Sequence, residues 1–285
     1  MVAVSGGVDS MVLLDLLVPK PKLKLVVAHF DHGIRKDSSL DRQLVQKKAQ
    51  VYGLPFVFDE GKLGPGASEA EARKARYDFL QSTRQATGAR AIVTAHHQDD
   101  RLETAFINLL RGTSRRGLTS LKDTPELRRP LLHLTKRQLI EYAKANGIEW
   151  REDSTNKDTN YTRNHVRHKL LPLLTQRKRT QLIDELNQLA KINHQLDEAL
   201  ALHLHLQPGV DELDRQWFIL LPHVAAREIM AAWLRKHGVG DVDTKGLERL
   251  VSAGKTYKTG QRTDVNAQFV LVINKTTLAL KTRDR

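Results

Sequence analysis

The hexapeptide Ser5-Gly6-Gly7-Val8-Asp9-Ser10 stands between a short apolar run, Val2 to Val4, and an amphipathic one from Ser10 to Leu17. Two consecutive glycines let the backbone turn sharply and present its N–H groups to an anion, and the hydroxyls of Ser5 and Ser10 flank the start of the following helix. A helix N-terminus carries about half a positive charge, and a nest of this kind needs no lysine. The segment predicts a phosphate cradle in which Ser5, Gly6, Gly7, Val8, Asp9 and Ser10 bind a nucleotide. The Gly-x-x-x-x-Gly-Lys-Ser/Thr loop of common kinases and GTPases is absent. The alternative is a plain glycine turn between strand and helix. Asp9 is the odd member, because a carboxylate beside phosphates is repulsive unless a cation intervenes. It is expected to orient a magnesium ion, which takes oxygen ligands and keeps several waters, or else to cap the helix.

A second cluster runs His96-His97-Gln98-Asp99-Asp100-Arg101-Leu102-Glu103-Thr104 and reads as the start of a helix. Asp100 and Glu103 are three apart and share a face. Acids so placed either serve a substrate or complement the helix N-terminus. The paired histidines lack a zinc pattern such as His-Glu-x-x-His. His29 and His32 flank Asp31 at a strand end, where they either contact a nucleotide or pin the turn.

These residues need a frame. The first half alternates apolar strands (Val2 to Val4, Leu23 to Phe30, Pro55 to Phe58, Ala91 to Ala95) with helices (Ser39 to Tyr52, Ser68 to Thr87), the pattern of a parallel sheet covered on both faces. Ligands on such sheets bind beyond the carboxyl ends of the strands, where both clusters and Asp31 to Arg35 fall. Residues 111 to 129 read as a mobile basic loop or a solvated linker, and helices resume at Thr135 to Asn146 and Arg163 to Leu174. A long helix over 176–206 ends at Pro208-Gly209, followed by helices at His223 to His237 and Thr244 to Ser252 and a hairpin over 268–274 and 277–281. The expected architecture is α/β: a doubly wound, mainly parallel sheet over residues 1–175, then a second, mostly helical domain over 176–285 ending in a small β-hairpin.

The 285 residues carry a formal charge of +13 and a pI near 9.9, which suits a polyanionic partner, although a basic balance also serves solubility. Aromatic residues make up 5%, too few for large base-stacking platforms. The absence of cysteine excludes disulfides, cysteine-ligated zinc and thiol catalysis in this chain. No cleavable leader opens the chain and no apolar stretch approaches the roughly 20 residues needed to cross a bilayer, so a cytoplasmic enzyme is expected.

Further motifs follow in order: His29-Phe30-Asp31-His32-Gly33-Ile34-Arg35, Glu71-Ala72-Arg73 with Arg76-Tyr77, Leu110-Arg111-Gly112, Arg129-Pro130-Leu131-Leu132, Asp153-Ser154-Thr155-Asn156 and Tyr161-Thr162-Arg163-Asn164 with Arg167. Together with the two clusters they resemble the tRNA(Ile)-lysidine synthetases of the PP-loop ATP synthetase superfamily, over roughly residues 1 to 175 and more loosely beyond. The resemblance implies a ligase that uses ATP and Mg2+ to adenylate the C2 oxygen of the wobble cytidine. The ε-amine of free L-lysine then displaces AMP to give lysidine. It implies an isoleucine tRNA with a CAU anticodon as partner, no membrane, and either a monomer or a homodimer.

By the same resemblance, Asp100 and Glu103 bind the substrate lysine, with Asp100 as the base. Arg163 grips either the lysine α-carboxylate or the α-phosphate of the adenylate. Arg111, Arg115 and Arg116 contact tRNA, with Arg177, Lys178 and Arg179 extending the track, and the second domain assists. Relatives usually carry a further N-terminal segment and often another C-terminal domain, so a trimmed start and a different tRNA clamp are expected here. Arg101 replaces a common glutamine. Two rivals stand beside this: a PP-loop synthetase adenylating a small molecule, and a tRNA-binding module without catalysis. Sister enzymes that thiolate tRNA use cysteines, which this chain lacks.

Overall fold

The computed structural model describes residues 1–33, 37–61, 63–64, 66–152, 162–203, 212–240 and 242–283. The expected turn at Asp153 to Asn156, Tyr161, Ile34-Arg35 and Pro208-Gly209 lie outside them. The chain forms two compact units, residues 1–107 with 119–184, and residues 108–118 with 185–285.

The first unit contains β1 (Val2–Ala3), α1 (Val8–Leu17), β2 (Val27–Asp31), α2 (Ser38–Val51), β3 (Phe56–Glu60), α3 (Glu69–Ala86), β4 (Ile92–Val93) and most of α4 (Gln98–Leu110). The five-stranded sheet has the order β3-β2-β1-β4-β5, all pairs parallel. Its fifth strand, β5 (Leu127–Arg128), comes from the stretch expected to be a mobile basic loop: Leu127 pairs with Ile92 and Arg128 with Val93. Two residues are too short to show strand periodicity, so only the edge of β4 reveals them.

Val2, Val4, Met11, Val12, Leu13, Leu14 and Val45 are buried on one face with Leu139 of α6 (Lys136–Ala145). Phe79 and Leu80 of α3 cover the other face against Ala28 and Ile92. Local sequence sets the helix starts: Ser68 with Glu71 and Thr135 with Gln138 form reciprocal capping boxes on α3 and α6. The second strand begins at Val27 rather than Leu23, because Lys20 and Leu23 donate their amides in tight turns to Leu17 and Lys20.

The helix expected from Arg163 to Leu174 is broken. A short turn, α7 (Thr162–His165), passes into a π turn over Val166–Leu170 and a 3-10 turn over Leu171–Leu173, where Pro172 supplies no N–H. After it comes α8 (Gln176–His203).

The second unit holds α5 (Arg115–Leu118), the later part of α8, β6 (Glu212–Asp214), α9 (Arg215–Leu220), α10 (His223–Lys236), α11 (Thr244–Thr256), β7 (Arg262–Asp264), β8 (Phe269–Ile273) and β9 (Thr277–Thr282). The expected hairpin β8–β9 is the centre of a four-stranded antiparallel sheet, β6-β9-β8-β7. Phe218, Met230, Trp233, Leu250, Leu271 and Leu278 make its core. The segment 108–118 is fastened by Arg115, whose guanidinium donates to Glu228 at 2.8 Å, Asn193 at 2.7 Å and Asp197 at 3.0 Å. Asn193 donates back to the Arg115 carbonyl, and Arg116 pairs with Asp197.

Because Arg115 is only 16% exposed and carries two carboxylates, removing it leaves half-buried charge unpaired. Arg115→Ala is expected to destabilise the second unit by about 2 kcal/mol in urea denaturation, well above the usual effect of a surface substitution.

Candidate functional site

β1 is the central strand, with β2 and β3 on one side and β4 and β5 on the other. Chain direction diverges between β1 and β4, which opens a crevice at their carboxyl ends. Ser5 to Ser10 lies at one lip and the start of α4 at the other. His29 ties β2 to β1: its Nδ1 bonds the Val4 carbonyl at 2.8 Å, and burial holds the imidazole below its ordinary pKa, so the ring is neutral and Nδ1 donates. His32 meets Phe30 edge-on, with centroids 5.0 Å apart.

The loop is braced from within and behind. The Ser10 hydroxyl donates to the Gly7 carbonyl at 2.9 Å and accepts the Ser5 amide at 3.1 Å, while the Ser5 hydroxyl accepts the Gly7 amide at 3.4 Å. Ser10 is buried, so its hydroxyl serves the loop, whereas Ser5 is exposed. Gly6 has φ +93°, and a Cβ there would meet the Asp41 Cβ at 3.3 Å. Arg151 donates its amide to the Gly6 carbonyl at 3.0 Å and its side chain to Asp41 at 2.7 Å and Asp37 at 2.8 Å. The Val8 side chain is core. The N-cap of α1 is Gly7 with no side-chain cap, which leaves the first-turn amides facing the crevice.

Asp9 does not cap the helix. Both its oxygens accept from the Lys136 ammonium at 2.8 Å. A cation thus already stands at Asp9, and a carboxylate beside a phosphate cradle has the donor chemistry for magnesium held with phosphate oxygens and water. Among the described residues no three His, Asp or Glu side chains form a metal cage of their own.

On α4, one Asp100 oxygen accepts the His97 amide at 2.9 Å, so Asp100 partly serves the helix terminus. The Asp99 amide donates to His97 Nδ1, which leaves the proton on Nε2, 3.5 Å from Asp100 and 3.7 Å from Asp9. Burial pushes the Asp100 carboxyl up, but His97, His96 and Arg167 together hold it below its ordinary value. Glu103 is 1% exposed and burial pushes it up, against a two-point bond from Arg167 at 2.6 and 2.9 Å. Arg163 stands farther off, 3.7 Å from Glu103 and 3.4 Å from the Thr104 hydroxyl. The guanidinium most closely engaged with the acids is therefore Arg167.

His96 bonds Thr94 at 2.8 Å, and its pKa falls to about 3: burial first, offset by Asp100, then Arg76, Arg129 and Arg163. Arg76 and Arg129 each hold a buried Nε without an acceptor, and Arg129 is 7% exposed. Three arginines thus stand around a neutral histidine. Sequence reasoning assigned no role to Lys136, Arg151, Arg76 or Arg129. The signals were the motifs that contain Arg76 and Arg129 and the basic residue directly after Thr135.

The six basic residues expected to meet tRNA divide. Arg111, Arg177 and Lys178 are exposed. Arg179 is half-buried, donating to the Leu171 carbonyl at 2.7 Å, 3.9 Å from Asp99. Arg115 and Arg116, also expected to contact tRNA, pair with Glu228 and Asp197 of their own unit.

A family model described as a PP-loop domain matches residues 1–174. The chain is similar to the tRNA(Ile)-lysidine synthase of Exiguobacterium sibiricum, 42% identical over 181 residues, 62% of this chain and 43% of that protein. The Thermotoga maritima enzyme of that name is 37% identical over 206 residues, 69% of this chain and 50% of its own. The Thermus thermophilus one is 43% identical over 182 residues, 61% and 35%. This chain therefore spans half or less of the length of these curated relatives.

Gly6→Ala is expected to cost about 1–3 kcal/mol from the left-handed backbone, and to weaken nucleotide binding more than melting, as calorimetry checks. A second expectation concerns acid. The unfolded chain protonates His96 near 6.5 while the fold refuses the proton until about 3, so stability is lost as pH falls through that window. Between about pH 7 and 5 the loss is about 2 kcal/mol. Urea denaturation of His96→Gln should show that much less acid sensitivity than the parent.

Proposed function

The chain belongs to the PP-loop family, and from that premise we propose that it carries the ATP- and lysine-handling site of a tRNA(Ile)-lysidine synthase. One observation carries this reading: the Ser5 to Ser10 loop and the acids of α4 converge on the crevice beside β1. The names of its relatives agree.

In the first step the C2 oxygen of the wobble cytidine attacks the α-phosphorus of ATP, and the bond to the bridging oxygen breaks to release pyrophosphate. The loop amides and the uncapped start of α1 receive the phosphates, with the Ser5 hydroxyl at the exposed edge. Asp9 would hold magnesium, which when bound neutralises phosphate charge. Arg76 and Arg129 line the side that receives an anion, either the adenylate phosphate or the lysine carboxylate, and Arg163 shares that task.

In the second step the lysine ε-amine attacks C2 and the C2–O bond breaks to free AMP. The ammonium must first lose a proton, which costs roughly 4.6 kcal/mol at pH 7. Asp100, whose carboxyl stays below its ordinary value beside the His97 amide and Arg167, suits the role of ammonium holder. Glu103 has the higher proton affinity, and the task of base passes to it from the expected Asp100. Arg167 positions Glu103. Arg111, Arg177 and Lys178 meet tRNA phosphates, the second unit assists, and the enzyme acts in the cytoplasm.

The test supplies ATP, radiolabelled lysine and total tRNA. Label is expected in one isoleucine tRNA with a CAU anticodon; pyrophosphate release without tRNA, or tRNA binding without label, rejects the proposal. Asp100→Asn should raise the lysine KM, and Glu103→Gln should lower kcat by about 100-fold or more with a smaller change in KM.

A further inference from the structure

Lys136 bridges α6 to the phosphate loop by holding both oxygens of Asp9 at 2.8 Å. The pair lies at the crevice, with side chains 39% and 27% exposed, where an ion pair adds only about 0–1 kcal/mol to stability. Stability is thus a weak reason for placing a lysine there. The position of Asp9 gives a better one. A carboxylate about 4 Å from a phosphate charge is repelled by about 1–4 kcal/mol between aqueous and near-surface dielectrics. Without a cation it would oppose any anion entering the loop.

We propose that Lys136 is the resident counter-ion of Asp9, exchanged for magnesium when the nucleotide arrives, so that the freed ammonium passes to the triphosphate. This rests on the nucleotide-binding reading above. The chemistry of each partner favours the exchange. Magnesium carries twice the charge and takes carboxylate and phosphate oxygens. A lysine on a flexible four-carbon stem, with three donors, serves phosphate as a mobile point charge. Among the described residues the other charged groups facing Asp9 are His97 at 3.7 Å and Arg167, each also engaged with Asp100, whereas Lys136 pairs with Asp9 alone. When magnesium pyrophosphate departs, Lys136 returns to Asp9 and the loop is again charge-balanced.

The test is calorimetric binding of ATP to the whole protein, with Mg2+ and with EDTA, alongside a melting curve for each variant. Lys136→Met should weaken metal-free ATP binding about tenfold while changing Mg-ATP binding less than about threefold. Asp9→Asn should bind metal-free ATP several times more tightly than the parent and lose most of the magnesium stimulation. Lys136→Arg keeps the charge and should stay near the parent in both conditions. Equal losses with and without metal in Lys136→Met, or unchanged metal-free binding, overturn the exchange alone. So does Asp9→Asn weakening both. Should Lys136→Met fail to fold, Asp9→Asn and Lys136→Arg decide the matter. A parent protein that binds no ATP in either condition overturns the nucleotide-site reading and the exchange with it.

Discussion

Gly6 holds its turn at φ +93° with Asp41 3.3 Å from where a side chain would begin. Everything at the crevice depends on that close approach. It lets the loop double back over β1, brings its carbonyl to the Arg151 amide, and so fixes the loop to the residues that hold Asp41. Any other residue meets steric opposition twice, from the backbone torsion and from the neighbour behind it. The direction in which α1 leaves the sheet, and with it the aim of its unbonded amides, follows from this one turn.

Around the turn, charge is arranged in pairs drawn from distant parts of the chain. Asp9 meets Lys136, Glu103 meets Arg167, and Asp41 meets Arg151. Each cation comes from a segment that follows α4 in sequence. On the far side Arg76 and Arg129 lack such matches at Nε, and they add to the burial that keeps His96 neutral. The crevice therefore has a balanced lip and an electropositive wall, the polarity that a substrate bearing both phosphate and ammonium would require.

Much of this was legible from local pattern. The Ser5 to Ser10 motif, the alternation of strands and helices, and the acids of α4 are read from spacing alone, and the parallel sheet follows from them. What escaped was non-local. Lys136 lies 127 residues from Asp9, and no periodicity links them. The strand Leu127–Arg128 has no pattern of its own and exists because β4 offers an edge. Arg115 reads as a basic loop residue until Glu228 and Asp197 arrive from α10 and α8. In the stretch from Val166 to Leu173, Pro172 marks a break that helical spacing conceals.

The hydroxyls of Ser5 and Ser10 bond within their own loop. A loop braced from within would leave an incoming anion little backbone to immobilise. Little ordering entropy opposes capture, so association would proceed near the rate of encounter, and discrimination between nucleotides would be expressed in how slowly the right one leaves.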